Sequence, residues 1–322
     1  MKTNIFIVAI IMIAFLFGEC TSKEYFDLKI TVVPESKMAV RFPNDMNTAS
    51  EIIRKRLIDT YSIPEGRMKL DVNDNQISLT IFKADTSKIA SIKKIITGYA
   101  RLEFWETYEN SQIIGYLSKA DSLLRSIRIS EQNPLFNILG PRLSTTGEPL
   151  PSCLVGLADE KDTTMVNSYL KMDKIKELFP NDLKFLWSSS PYKYGNSKSL
   201  YGLHAIKVTT ADKLAPLDGK SVISAEVIGG SNNKDVRIGL TMYPEGEKTW
   251  ARVTRENISR CIAVVCNGYV RSYPRVQAEI SGGKTEITGD FTIEEANDLV
   301  GLLKSGELPF GLKIADIQII KR

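Results

Sequence analysis

The chain has 322 residues, 43% of them hydrophobic and 25% charged, which is enough for two or three globular domains with packed cores. Its formal net charge of +4 is spread over the whole sequence. Because nucleic-acid-binding proteins concentrate basic residues in a patch or stripe, this distribution argues against a nucleic-acid partner.

The N-terminus predicts a membrane association. An unbroken apolar run, residues 5–17, is shorter than the about 20 residues that span a bilayer and fits the core of a signal peptide. Cys20 follows and is the candidate lipidation site of a bacterial lipoprotein, although Glu19 replaces the small residue that usually precedes the acylated cysteine. Residues 1–20 are therefore either a signal peptide or a short membrane anchor. Both alternatives place the remaining chain in the cell envelope, facing the periplasm or another extracytoplasmic space.

Residues 25–109 alternate strands and helices. In the first helix, "TASEIIRKRLIDTY", Thr48 and Glu51 are predicted to form a capping box, and apolar residues recur at every fourth position. The basic residues 54–56 of this helix point in three directions, so we interpret them as a solvated surface. The series ends with a predicted strand at residues 100–106. The order strand–helix–strand–strand–helix–strand is that of a ferredoxin-like unit, the predicted first half of a base.

Residues 218–322 repeat this pattern and form the predicted second half of the base. Two short strands flank Asn267 and Gly268, a dipeptide that strongly favours a type I′ turn. Thr292 and Glu295 are predicted to form a capping box at the start of the next helix. A final strand ends the segment.

Residues 110–217 are less regular, with two predicted helices, polar loops and short strands. We interpret this segment as a head inserted between the two halves of the base. The sequence therefore predicts an α+β fold, in which two chain segments form a ferredoxin-like pseudo-repeat base that carries an inserted α+β head domain.

The stretch "AEISGGKTEITGDF" contains Gly283-Lys284-Thr285, which is similar to the end of a phosphate-binding loop. Such a loop needs an earlier glycine, where this chain has Ala278, and it needs a helix after the lysine. The residues after Lys284 instead predict a strand. We therefore expect a tight turn at the two glycines and no nucleotide binding.

No set of side chains predicts catalysis, a metal site or a cofactor. His204 is the only histidine, and it lies on a predicted strand with no neighbouring metal-ligand motif, so a structural role is expected. Cys153, Cys261 and Cys266 make an odd number, which is not a complete disulfide framework. Trp187, like the other two tryptophans, is interpreted as core or inter-domain packing. The sequence thus predicts a protein that is not an enzyme.

A series of spaced motifs in the C-terminal part resembles the first extracytoplasmic domain of SecD and of fused SecDF, the protein-export membrane proteins. The resemblance extends over about residues 42–313. The matching motifs are Thr254-Arg255-Glu256-Asn257, Asn267-Gly268, Pro274-Arg275-Val276, Gly282-Gly283, Ile287-Thr288-Gly289 and Glu294-Glu295-Ala296. The chain departs from SecD in three respects. "FDLKI" stands where SecD has Leu-Gly-Leu-Asp-Leu-x-Gly-Gly, Cys266 replaces the usual leucine before the Asn-Gly turn, and no membrane bundle follows the final strand. The expectation is a SecD-like domain without the transmembrane bundle.

The resemblance implies an accessory or paralogue of the Sec protein-export machinery, in which the head holds emerging polypeptide and swings relative to the base. Its implied partners are Sec translocon subunits and unfolded secretory polypeptides, and no polypeptide-binding residue is assigned. The alternative is an envelope binding or structural lipoprotein that kept the fold without a connection to the translocon.

Overall fold

The computed structural model describes residues 26–36, 44–73, 76–98, 101–126, 134–194, 198–230, 235–289 and 291–321. The apolar run and Cys20, the candidate lipidation site, lie outside the described residues. Within the described ranges, none of the helices combines the length and the apolar character needed to cross a bilayer.

Helices and strands alternate along the described residues, which confirms the predicted α+β class. The strands are β1 (Phe26–Pro34), β2 (Met68–Asn73), β3 (Gln76–Ala84), β4 (Leu102–Thr107), β5 (Gly140–Pro141), β6 (Leu154–Asp159), β7 (Leu183–Trp187), β8 (Tyr192–Tyr194), β9 (Lys198–Lys207), β10 (Leu217–Asp218), β11 (Val222–Ile228), β12 (Arg237–Met242), β13 (Ile262–Cys266), β14 (Tyr269–Ser272), β15 (Lys284–Thr288) and β16 (Leu312–Lys321). The α-helices are α1 (Asp45–Tyr61), α2 (Ile89–Thr97), α3 (Asn110–Ser126), α4 (Leu135–Ile138), α5 (Glu160–Lys171), α6 (Asp173–Lys176), α7 (Pro244–Glu256) and α8 (Ile293–Ser305).

The first sheet is antiparallel and has the strand order β16-β1-β3-β2. Alternate residues of β1, namely Leu28, Ile30 and Val32, share one core with apolar residues of α1 and α2. The unit is ferredoxin-like, as predicted, but its fourth strand was predicted wrongly. That strand is β16, from the end of the chain, and not β4. Nearly every residue of β4 is buried, which suits an inner strand of a larger sheet.

The second sheet runs from the base into the head, in the order β14-β13-β4-β9-β6-β5, with β7 and β8 also paired to β9. Ser188, directly after β7, bridges to Val270 of β14, and the Ser189 amide donates to the Val270 carbonyl at 2.9 Å. Strands β14, β13, β4, β9 and β7 therefore close into a ring, which we call the strand ring. Its interior is filled by buried Trp105, Ile206, Ala263, Val265 and Val270.

The third sheet has three antiparallel strands in the order β11-β12-β15. Together with α7, α8 and β4 it encloses the second core, in which the rings of Phe104 and Trp250 lie 5.0 Å apart. This order differs from that of the first sheet because β13 pairs with β4 instead. The predicted pseudo-repeat is therefore not confirmed.

A separate core fills the segment predicted as the head. Helices α3, α4, α5 and α6 contribute apolar residues that pack against β6, β7 and β9. The sheet that carries β6 and β9 also contains β4 and β13 of the base, so the two parts share a continuous backbone ladder. The proposed boundaries at residues 110 and 217 remain predictions.

Of the two predicted capping boxes, the structure contains the one at the start of α8 and not the one in α1. Thr292 and Glu295 form the predicted capping box of α8. The capping box predicted at Thr48 is wrong, because α1 begins at Asp45 and the Thr48 amide and hydroxyl both donate to the Asn44 carbonyl.

The prediction that residues 54–56 form a solvated surface is wrong for Arg56. This side chain is fully buried. Its guanidinium donates to carbonyl groups near the C-terminal ends of α2 and α8. Periodicity alone missed this because the acceptors come from distant parts of the chain.

Candidate functional site

The two glycines of the phosphate-loop-like stretch form the predicted tight turn. Gly282 and Gly283 both have positive φ angles (89° and 68°), and the chain continues directly into β15. The Gly282 amide donates to the Glu247 carboxylate at 3.1 Å. A carboxylate therefore holds an amide that a phosphate loop would offer to its ligand, and no helix begins at Lys284 to complete such a site.

His204 is fully buried, and its ring packs against that of Tyr273 with 4.6 Å between centroids. Its Nδ1 lies 3.7 Å from the Cys153 Sγ, and Nε2 has no hydrogen-bond partner among the described residues. Burial lowers the pKa of His204 to about 3 and raises that of Cys153. Both groups therefore prefer their neutral forms, unlike the thiolate–imidazolium pair of a cysteine nucleophile. The described residues also contain no group of three His, Cys, Asp or Glu side chains that could hold a metal ion.

A groove of about 660 Å³ lies between residues of the predicted head and residues of the predicted base. We call it the head–base groove. Its head wall consists of α5 together with the ends of β7 and β9; its base wall consists of the β13–β14 hairpin, α8 and one residue of α2. The volume falls within the range of ligand-binding clefts in proteins, about 300–1,000 Å³.

The head wall presents aromatic and small polar side chains. Trp187 lines it, and its indole N–H donates to the Asn167 side-chain oxygen at 2.9 Å, which fixes the orientation of the ring. Tyr201 and two hydroxyl groups, Ser188 and Ser189, complete this wall beside the tryptophan. The interpretation of Trp187 as inter-domain packing missed its exposure to this groove.

Arg271 of β14 joins the two walls. Its guanidinium donates to the Ser189 hydroxyl at 3.1 Å on the head side and lies 3.9 Å from the Glu295 carboxylate on the base side. It also lies over the Phe291 ring, 5.2 Å from the centroid, where a cation–π attraction adds to the ion pair. These contacts hold the groove in the observed width.

The base wall combines a second ion pair with an apolar strip. Lys94 lies 3.2 Å from the buried Asp298 carboxylate. Leu299 and Leu302 line the groove on the same helix, α8. Cys266 lies beside them, and burial raises the pKa of its thiol to about 11, so the side chain remains uncharged at neutral pH.

The Asn267–Gly268 turn positions the exposed end of the base wall. Positive φ angles at both residues, 53° and 82°, agree with the predicted type I′ turn. The turn places Tyr269 at the groove with 54% of its surface exposed. The turn was predictable from sequence, whereas its position opposite α5 depends on the pairing of β4 with both β13 and β9.

The family model described as "SecDF, P1 head subdomain" matches residues 200–310 of this chain. The protein translocase subunit SecD of Rhodothermus marinus is 28% identical over 302 residues, which cover 84% of this chain and 46% of the relative. The chain is therefore similar to SecD and SecDF along most of its length. The SecDF of Thermus thermophilus is 40% identical over 84 residues, covering 26% of this chain and 11% of the relative.

Solved SecDF structures share the fold. The crystal structure of SecDF in a super-membrane-facing form aligns with 92% of this chain at a TM-score of 0.53 and 18% identity, and the alignment covers 30% of that SecDF chain. A second structure, described as a membrane component SecDF that enhances protein export, aligns over 91% of this chain and all of its own at a TM-score of 0.51 and 18% identity. The chain spans less than half the length of the Rhodothermus relative.

The match named for the head subdomain falls mainly on residues that we assigned to the second half of the base. It begins in β9 and ends after α8, so it includes the base wall of the groove except for Lys94 of α2. The division into a head at residues 110–217 and a base on either side is retained as our own proposal.

Proposed function

We propose that this SecD homologue is a non-enzymatic accessory of the Sec protein-export machinery, anchored in the cell envelope by its N-terminus. In this proposal the head–base groove holds an extended segment of an unfolded secretory polypeptide outside the cytoplasmic membrane. The observation that carries the proposal is the groove itself, because its two walls come from the two parts that the SecD resemblance expects to move relative to each other.

The composition of the groove suits a ligand of variable sequence. Trp187, Tyr201 and Tyr269 offer broad apolar faces that lose little conformational entropy on binding. The serine and asparagine side chains beside them can form hydrogen bonds to a peptide backbone in several registers. Two cationic and three acidic side chains line the groove, so neither sign of charge dominates and a polyanion is disfavoured.

The alternative is an envelope binding or structural lipoprotein without a connection to the translocon. It uses the same fold and the same groove, so the distinction lies in the partners. Under our proposal the partners are Sec translocon subunits and unfolded chains, with no nucleotide, nucleic acid or cofactor.

The test is photocrosslinking in cells from a reactive amino acid at position 269, followed by mass spectrometry of the adducts. The control position is Ile319 on β16, which is equally exposed at 52% but lies away from the groove. We expect adducts with translocon subunits and secretory polypeptides from position 269 and not from position 319. Equal adducts from both positions, or only folded envelope proteins at position 269, would favour the alternative.

A further inference from the structure

The third sheet leaves one edge of β11 without a strand partner. The order of this sheet is β11-β12-β15, and among the described residues β12 is the only strand that pairs with β11. Such an edge presents a row of backbone N–H and C=O groups with which another extended chain can pair. The strand has seven residues, Val222–Ile228, which is a typical length for strand pairing.

A groove of about 420 Å³ runs along this edge, and we call it the β11 groove. Four consecutive residues of β11, 222–225, line it on one side. Because consecutive side chains of a strand point to opposite faces of its sheet, a cavity that borders all four lies beside the edge and not over one face. The last turn of α8 and the residues that follow it, 302–307, form another wall. The groove therefore leaves space for a chain that runs beside β11.

The β11 groove also exposes apolar surface. Ile223 of β11 is 52% exposed, and Tyr243, which follows β12, is 48% exposed. Leu303 of α8 adds a partly buried apolar side chain to the lining. A strand added along the edge would remove part of this apolar surface from water while it pairs with the backbone of β11. One ligand would therefore satisfy both features of the groove.

The charge of the β11 groove is one-sided. Three exposed lysines, Lys55, Lys220 and Lys304, line it, against the single acidic side chain of Glu307. Lysines beside a strand edge repel a cationic chain, including the same edge of a second copy, and attract an acidic chain. The head–base groove, in contrast, has no dominant sign of charge. The two grooves therefore select different ligands.

We propose that the β11 groove is a docking site for an extended, acidic segment of a partner protein, which adds to the third sheet as a fourth strand. Backbone pairing with β11 supplies affinity, and apolar side chains of the segment contact Ile223 and Tyr243. Its carboxylates pair with Lys220 and Lys304. Because this charge preference is fixed, the segment belongs to a protein of defined sequence and not to secretory chains of variable sequence. The site goes beyond the proposed function, and the linings of the two grooves share only Leu302.

The first test measures peptide binding to the full chain in mild detergent by fluorescence anisotropy. The probe is a fluorescein-labelled nonapeptide of alternating valine and glutamate, and the control peptide carries lysine at every glutamate position. We expect saturable binding of the glutamate peptide, about tenfold tighter or more than that of the lysine peptide. Added salt should weaken the binding of the glutamate peptide, because exposed ion pairs are screened.

Charge reversal locates the site. The double variant Lys220→Glu and Lys304→Glu should weaken binding of the glutamate peptide about tenfold or more. Lys284→Glu is the matched control, because Lys284 is an exposed lysine on β15, the opposite edge strand of the same sheet. This control should leave the affinity unchanged, and thermal unfolding verifies that each variant is folded.

Hydrogen–deuterium exchange of the wild-type chain gives a readout that needs no variant. The glutamate peptide should slow amide exchange in residues 222–228 and leave the β13–β14 hairpin of the head–base groove unchanged. Slower exchange at that hairpin instead, absence of binding, or equal affinity for the two peptides would overturn the proposal. Protection of β11 that rises with protein concentration without peptide would also overturn it, since the edge would then be an interface between copies of this chain.

Discussion

Arg56 provides the sharpest test of how α1, α2 and α8 are held together. Its fully buried guanidinium donates to the Ser305 hydroxyl at 3.1 Å and to the carbonyls of Ile95 and Gly306, each at 2.9 Å, as well as to that of Gly98. Burial alone lowers its pKa from 12.5 to about 10, with no carboxylate among the causes. The negative C-terminal ends of two helices therefore take the place of a counter-ion.

The variant Arg56→Met keeps the aliphatic stem and removes all of these donors. Four hydrogen bonds to a charged group contribute about 1.5–3 kcal/mol each, or about 6–12 kcal/mol together. Against this stands the cost of burying the charge, which the lowering of the Arg56 pKa from 12.5 to about 10 places at about 3 kcal/mol. In the variant, water can replace the donor at the partly buried carbonyls. We therefore expect the free energy of unfolding to fall by about 3–5 kcal/mol, the range for breaking a buried ionic contact.

The assay is urea unfolding of the full chain, followed by circular dichroism, with the free energy of unfolding compared between variants. Lys55→Met is the matched control, because the exposed Lys55 also donates to a carbonyl at the end of α8, that of Lys304 at 2.8 Å. We expect the control to lose less than about 1 kcal/mol. A difference below about 1 kcal/mol between the two variants would refute the view that the guanidinium joins the helix ends.

Three further predictions concern a titration, a helix contact and the groove. Burial lowers the pKa of His204 to about 3 from its ordinary 6.5, so between these pH values the unfolded chain binds a proton that the folded chain does not. The free energy of unfolding should therefore fall as the pH drops below 6.5. His204 contributes up to about 1.4 kcal/mol per pH unit to this fall. His204→Gln should remove that part of the slope between pH 5 and 6.5, and an unchanged slope in urea unfolding would contradict the assignment. Gly301→Ala places a Cβ 2.1 Å from the Thr60 hydroxyl of α1 and should lower the free energy of unfolding by about 1–3 kcal/mol. The control Gly115→Ala on α3 meets nothing within 4 Å and should raise it by up to about 1 kcal/mol. Equal effects of the two variants in thermal unfolding would refute the tight α1–α8 contact. Tyr269→Ala should weaken the binding of a labelled unfolded polypeptide about tenfold, as measured by fluorescence anisotropy, while Ile319→Ala should leave it unchanged; a matching loss in both would count against the groove.

Sequence patterns predicted some local features correctly, although the equally local capping box at Thr48 is absent because α1 begins at Asp45. The type I′ turn at Asn267–Gly268 and the capping box at Thr292 depend on a few consecutive residues, and both are present. The assignment of strand partners was weaker. The burial pattern of β4 permits several neighbours, and only the packing of the whole chain selects β9, β10 and β13.

The candidate site could not be predicted from sequence because it is formed by distant segments. Asn167, Trp187 and Arg271 show no motif along the chain, yet all three line one groove. Arg56 was assigned to solvent because helical periodicity carries no information about acceptors that come from other elements.

The position of β16 has a consequence for the way this chain acquires its structure. The outer edge of β1 finds its hydrogen-bonding partner only in residues 312–321. When the chain emerges N-terminus first, this edge of β1 stays unpaired until the roughly 280 residues between β1 and β16 have been made. Such an edge is a template for wrong strand pairing, and the large sequence separation between β1 and β16 raises the contact order of the fold. The first sheet thus begins with the earliest strand of the chain and is completed only by the last one. We expect correct folding to require that the free edge of β1 stays unpaired with other strands until β16 is available.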